Sequence, residues 1–229
     1  MKSDLSAFAR DSYRVGSLAL AGIAVFALVC LAAQLVRSDL DWVNSPLSHY
    51  LRGEYGWIVK TAYFVLGASL VLLGLGYHRA LSTTARSGAP FLLFALGGVA
   101  LDVTALADSG SLTGTRALEA FVHNLAAFTA FLSVTTAMLL QSWCLRSDAR
   151  WRHRFSVAFT LAAVSFVALS MYSLSDDWPR GLSQKVVIVL ILAWLTLAAK
   201  WLQSHSPIPA LAEADAAGAV GGGEGTASP

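Results

Sequence analysis

Two ionisable side chains, Asp102 and His123, lie within long apolar runs of the sequence. A charge inside a membrane span is costly and usually marks a function, so this pair is the first candidate for chemistry. A carboxylate beside an imidazole fixes the ring tautomer or stabilises the protonated ring, which suits the histidine to carrying a proton or ligating a metal. The two residue types therefore predict proton-transfer or metal chemistry, provided that the fold brings them together.

The elements that must position this pair are membrane-spanning helices. Of the 229 residues, 56% are hydrophobic and 13% are charged, about half the charged fraction of a soluble domain. Six apolar runs are of a length that crosses a hydrocarbon core about 30 Å thick. They cover residues 16–36, 58–81, 91–106, 120–140, 155–174 and 186–202. Strand alternation is absent, so the sequence predicts an all-α, polytopic bundle of six transmembrane helices.

The distribution of lysine and arginine predicts that both termini are cytoplasmic. With the N-terminus inside, the inside segments carry ten of these residues and the outside segments six. The run "RSDARWRHR" after the fourth helix contributes most to this difference, because basic residues accumulate on the cytoplasmic side. We interpret that run as an anchor beside anionic lipid and not as a nucleic-acid site. The expected location is the plasma membrane.

The chain divides into three parts by composition. Residues 1–15 are predicted to form a cytoplasmic N-terminus, and residues 16–202 a single membrane domain. Residues 203–229, which include "AEADAAGAVGGGEGTASP", are rich in glycine and alanine without an apolar period. Such a composition predicts a disordered cytoplasmic tail.

The depths of Asp102 and His123 predict that they meet near the outer surface. At 1.5 Å per residue, Asp102 lies about 6 Å below the outer end of the third helix, and His123 about 5 Å below that of the fourth. These two helices are antiparallel neighbours, so both side chains reach the same level. The alternative interpretation is structural: the two groups bond to each other and lock the helices together.

The segment "DWVNSPLSHYLRGEYGW", residues 41–57, is the most polar stretch in the first half of the chain, and we predict that it covers this layer as a lid. The candidate catalytic residues are His123, Asp102 and Ser48. The predicted ligand-binding residues around them are Asp41, Asn44, Ser45, Ser48, Tyr63, Asp108, Asn124 and Tyr172.

We expect no resident cofactor, with zinc as the alternative. A zinc-dependent hydrolase needs about three ligands and an open position, for which the candidates are His123, Asp102 and Asp108. No haem is expected, because His78 and His123 lie at opposite membrane faces and cannot share one. The polar layer is also shallow, which disfavours a transporter.

Three segments together resemble the uncharacterised membrane family DUF998. They are residues 41–57, "HNLAAFTAF" at 123–131 and "GLSQKVVIVLILAWLTLAAKWL" at 181–202. The resemblance implies a six-helix bundle without an assigned activity, and it places Asp108 where the family tends to carry an acid. Positions that match the family pattern are Asn44, Ser45, Leu47, Ser48, Gly56, Trp57, His123, Gly181 and Trp194.

Two functions fit these observations. The first is binding of a lipid-like or amphiphilic head group in a polar cup near the outer leaflet, with membrane lipids as partners. The alternative is an intramembrane hydrolase of a lipid amide or ester that depends on a metal or on an Asp–His pair. Catalysis requires His123 and Asp102 to converge, whereas binding does not.

Overall fold

The computed structural model of the protein describes residues 2–107, 116–175 and 177–204, with the backbone alone for residues 2–10. Within these ranges there is no strand, and six helices are each long and apolar enough to cross a membrane. They are α1 (Lys2–Val36), α2 (Gly56–Ala80), α3 (Ala89–Ala107), α4 (Arg116–Ser147), α5 (Phe155–Leu174) and α6 (Arg180–Ser204). The prediction of an all-α, multi-pass membrane protein is therefore confirmed.

Most helices extend beyond the apolar runs that predicted them. α1 continues through residues 2–15, which composition had assigned to a separate N-terminal segment, and α4 runs on to Ser147. These added turns are polar, so the apolar length alone could not predict them. Residues 205–229, which make up nearly all of the predicted tail, lie outside the described residues.

The six helices pack in chain order into a ring. Each contacts the next along the chain, and α6 closes the ring against α1. Consecutive spans run in opposite directions, so the bundle has two ends with three helix N-termini at each. The end that carries residues 41–57 is called the cap end here. The α2, α4 and α6 N-termini and the α1, α3 and α5 C-termini lie there.

Small residues let the helices approach closely. At the crossing of α2 and α3, a Cβ placed on Gly98 would lie only 2.7 Å from the Gly67 carbonyl oxygen. Apolar side chains gain little by leaving lipid, so such close backbone packing contributes much of the association between helices. Phe94, Leu73 and Trp194 fill the interior beside this crossing, each no more than 1% exposed.

Candidate functional site

Residues 41–57 fold into a compact cap whose centre is a short 3-10 helix, Leu47–Leu51. Behind it the chain turns at Gly53, whose φ of 88° is a left-handed conformation that favours glycine. Arg37 Nη1 donates to the Arg52 carbonyl at 2.6 Å, and the same guanidinium pairs with Asp39 at 2.7 Å. The hydrogen bond from Arg37 also lowers the pKa of the Asp39 carboxyl from its ordinary value.

The cap is bonded to the first turns of α6. The Leu47 amide donates to Gln184 Oε1 at 2.8 Å in a buried setting, and Lys185 Nζ donates to the Ser45 carbonyl at 3.0 Å. Gly181 permits this contact, because a Cβ there would lie 2.5 Å from the Ser45 carbonyl oxygen. The polar segment is thus a fixed part of the fold.

Three predicted ligand-binding residues, Asp41, Asn44 and Ser45, take part in the hydrogen bonds of the cap itself. Asp41 Oδ2 accepts from Asn44 Nδ2 at 2.6 Å, and its Oδ1 accepts from the Val43 amide at 2.9 Å. These bonds lower the pKa of Asp41 from its ordinary value, with the bond from Asn44 the larger cause. Asp41, Asn44 and Ser45 do not line either of the two cavities described next.

A cavity of about 820 Å³, named the cup here, opens beneath the cap between α4, α5 and α6. Its wall from the cap includes Ser48 and His49, and its wall from α4 includes His123 and Asn124. Tyr172 of α5 completes the polar lining that the sequence predicted. Four of the predicted site residues, Ser48, His123, Asn124 and Tyr172, therefore share one cavity.

A second, narrow cavity of about 80 Å³, named the cleft here, lies next to the cup within the bundle. Its walls are mainly apolar and include Phe26, Leu66, Leu70, Ile188 and Leu192. Tyr63, a predicted ligand-binding residue, lines the cleft and not the cup. Four residues belong to the walls of both cavities: Ser48, Ala127, Phe131 and Gln184. A polar chamber and an apolar one are thus adjacent and share a boundary.

His123 bonds to the backbone of α3, at the level that the depth argument predicted. Its Nδ1 lies 3.1 Å from the Thr104 carbonyl oxygen. A carbonyl can only accept, so Nδ1 carries the hydrogen and the neutral ring keeps Nε2 as an acceptor. Backbone carbonyls commonly fix histidine tautomers in this way, so the ring retains one basic nitrogen in the cup wall.

The structure does not form the predicted bond between Asp102 and His123. The Asp102 carboxyl lies against α2, where a Cβ on Gly67 would be 2.6 Å from Asp102 Oδ1. Asp102 Oδ1 is buried without a hydrogen-bond partner. The reason is helical periodicity: Asp102 and Thr104 are two residues apart and point about 200° apart around α3. Asp102 and His123 lie at similar depths, but the Asp102 side chain points toward α2 and not toward α4.

Within the part of the chain that the structure describes, no additional metal ligand lies beside the predicted ones. No group of three or more histidine, cysteine, aspartate or glutamate side chains is close enough there to hold a metal ion. Asp108, the third predicted ligand and a predicted ligand-binding residue, lies outside the described residues.

Three arginines of the cup were not predicted as site residues. Arg52 follows the 3-10 helix, whereas Arg116 and Arg180 are the first residues of α4 and α6. In the sequence they served only to assign topology. Their positions in the sequence could have identified them, because arginines at the starts of spans on the same side of the membrane come close together when the helices pack.

A family model described as "Protein of unknown function (DUF998)" matches residues 20–201, most of the chain. No curated protein matches. No solved structure matches.

Proposed function

The chain belongs to the DUF998 family of membrane proteins of unknown function, and we propose that it binds an amphiphile. The polar head of this ligand occupies the cup, and the start of its hydrocarbon chain enters the cleft. The observation that carries the proposal is the shared boundary of the two cavities at Ser48, Ala127, Phe131 and Gln184. A ligand with one polar and one apolar end matches that division of surface.

The lining residues support this orientation. Asn124 and Ser48 offer donors and acceptors to a polar head, whereas Leu66, Leu70 and Ile188 offer only apolar surface to a chain. On α4, the cup-facing residues Ala120, His123, Asn124, Ala127 and Phe131 recur at three- and four-residue spacing and so form one stripe. The stripe becomes apolar toward the cleft.

Hydrolysis at the same site is the second candidate function, and it rests on His123. With Nδ1 bonded to the Thr104 carbonyl, Nε2 can accept a proton from water or from a hydroxyl such as that of Ser48, which lines the same cup. The Asp–His pair that the sequence suggested for catalysis is not formed, because the Asp102 carboxyl lies against α2, so this version of the hydrolase uses His123 without Asp102.

Photolabelling tests the binding proposal. The purified protein is equilibrated with a zwitterionic phospholipid that carries a diazirine in its acyl chain, and the labelled peptides are identified by mass spectrometry. We expect label on the cleft residues, and Ala127→Phe should reduce it about tenfold by plugging the boundary. Ala68→Phe, on an exposed face of α2, is the matched control and should leave the label unchanged.

Label confined to lipid-facing side chains, such as Leu96 and Val99, and unaffected by Ala127→Phe would contradict the proposal. The hydrolase alternative is tested on the same sample by following release of the acyl chain. His123→Gln should abolish that release while leaving the photolabel in place.

A further inference from the structure

The charged lining of the cup indicates which head group it takes. Of the lining residues that the structure describes, three are arginines from three different elements, Arg52, Arg116 and Arg180, and one is an acid, Glu119. Among the described lining residues, positive charge is therefore in excess even with both histidines neutral. We propose that the cup binds a phosphate-bearing anionic head group, an inference that rests on the proposed binding of an amphiphile.

Guanidinium groups suit this chemistry. An arginine presents a planar fork of N–H donors that matches two oxygens of a phosphate, and it stays charged at every accessible pH. Arg180 lies over the ring of Tyr172, with its Cζ 5.7 Å from the ring centroid. This stacking restricts the arginine side chain beside a phenol that also lines the cup, so less freedom is lost when a ligand binds.

Backbone dipoles add to the positive field. α4 begins at Arg116, and α4 supplies the longest wall of the cup. The first amides of a helix have no intrahelical acceptor and carry a partial positive charge, which favours anions nearby. Arg116 and the start of α4 therefore act in the same direction on a ligand in the cup.

Two acids in or just before the cap, Asp41 and Asp39, are bonded to other groups and do not face this cavity. Asp39 pairs with Arg37, and Asp41 accepts from Asn44 and from the Val43 amide. Neither carboxylate lines the cup. The cap thus presents Ser48, His49 and the cationic Arg52 to the chamber, whereas Asp41 and Glu54 do not line it.

The proposal is tested by titrating the detergent-solubilised full-length protein with dioctanoyl phosphatidylglycerol and dioctanoyl phosphatidylcholine. Their chains are identical, and only the first has a net negative charge. Native mass spectrometry gives Kd for each, and glycerol 3-phosphate serves as the free phosphate. We expect phosphatidylglycerol to bind about tenfold more tightly than phosphatidylcholine and far more tightly than glycerol 3-phosphate.

The double variant Arg116→Gln/Arg180→Gln should reduce the phosphatidylglycerol affinity to that of phosphatidylcholine. Arg152→Gln, an exposed arginine at the opposite end, is the matched control and should leave both affinities unchanged. Circular dichroism and the elution volume of each variant confirm that it folds. If Arg152→Gln weakens binding as much as the double variant, the anion is held by general surface charge and the proposal is overturned.

The remaining outcomes separate this inference from the proposed function. Equal affinity for the two lipids, lost in Ala127→Phe, overturns the anionic head group and leaves amphiphile binding in place. No binding of either lipid overturns both. If glycerol 3-phosphate binds as tightly as phosphatidylglycerol, the cup takes a free phosphate, which contradicts the amphiphile and retains the anion site.

Discussion

Asp148 Oδ2 accepts a hydrogen bond from the Ser82 amide at 2.8 Å, which joins the α4–α5 loop to the α2–α3 loop at the end opposite the cap. Asp148 is only 2% exposed although it lies in the basic run "RSDARWRHR". Its Oδ1 accepts from the Arg150 amide at 2.9 Å, and Arg150 Nη2 donates to the Ala80 carbonyl at 2.6 Å. The run that predicted topology therefore also ties two loops together.

Replacing Asp148 with alanine should destabilise the bundle by about 2–4 kcal/mol, because the Ser82 amide is left in a poorly solvated place without its acceptor. The measurement is Tm in detergent. Asp39→Ala removes an exposed ion pair at the other end and serves as the control, for which little change is expected. Equal shifts in Tm for the two variants would contradict the role assigned to Asp148.

Lowering the pH should remove the stabilisation of the folded state that Asp148 provides. Burial acts to raise the pKa of this carboxyl, but hydrogen bonds from the Ser82 amide and from Arg150 outweigh it, so the pKa lies below the ordinary value. The stabilisation is therefore fully present above about pH 4, near the unfolded pKa, and is lost as the pH falls through the lower folded pKa.

Thermal melts between pH 6 and pH 3 check this sign. The wild type should lose Tm more steeply below pH 4 than Asp148→Asn, which has no proton to take up at that position. Asp39→Asn is measured in parallel, because Asp39 also has a lowered pKa and contributes to the acid sensitivity of the wild type. Parallel curves for the wild type and Asp148→Asn would show that Asp148 is not responsible.

The length of the apolar runs was sufficient to predict the six helices, because each span must cross the hydrocarbon core with its backbone hydrogen bonds satisfied internally. Membership of Ser48, His123, Asn124 and Tyr172 in one polar layer was also predictable, since depth follows from residue count. The direction in which a side chain points around its helix was not predictable, because it depends on which helices pack against each other. Asp102 shows the difference: Leu101 and Thr104 on either side of it line the cleft, yet its carboxyl faces Gly67 on α2.

Gly67 should be sensitive to a single added methyl group, and Asp102 should determine how sensitive it is. A Cβ at Gly67 would lie 2.6 Å from Asp102 Oδ1 and 3.0 Å from the Gly98 carbonyl oxygen. We expect Gly67→Ala to cost about 1–3 kcal/mol through overpacking. Asp102→Ala in the same chain should recover part of that loss, because the nearer obstacle is a side chain.

Gly98→Ala is the matched control for this rescue. Its Cβ would lie 2.7 Å from the Gly67 carbonyl oxygen, which is backbone and cannot be trimmed by Asp102→Ala. A double-mutant cycle in Tm measures both couplings. Rescue of Gly98→Ala as large as that of Gly67→Ala would mean that Asp102 acts through general loosening of the bundle.

Gln184 should hold the cap against α6. Its Oε1 is the acceptor for the buried Leu47 amide, so Gln184→Leu leaves that amide unsatisfied at a cost of about 1–3 kcal/mol. Arg52 is already exposed, so a loosened cap should make the bond after it more flexible, and trypsin should cut there faster than in the wild type. Gln184→Glu retains an acceptor oxygen and should be cut at close to the wild-type rate. Equal rates for Gln184→Leu and wild type would overturn the assignment.

The topology that Lys and Arg predict can be tested with single cysteines. Six spans place both ends of the membrane domain on one side, and the basic excess predicts that this side is the cytoplasm. In a background without Cys30 and Cys144, a cysteine at the exposed Glu54 of the cap should react with an impermeant maleimide on intact cells. One at the exposed Arg152 should react only after lysis. The reverse pattern would place the cup on the cytoplasmic face, and its ligand would then come from the inner leaflet.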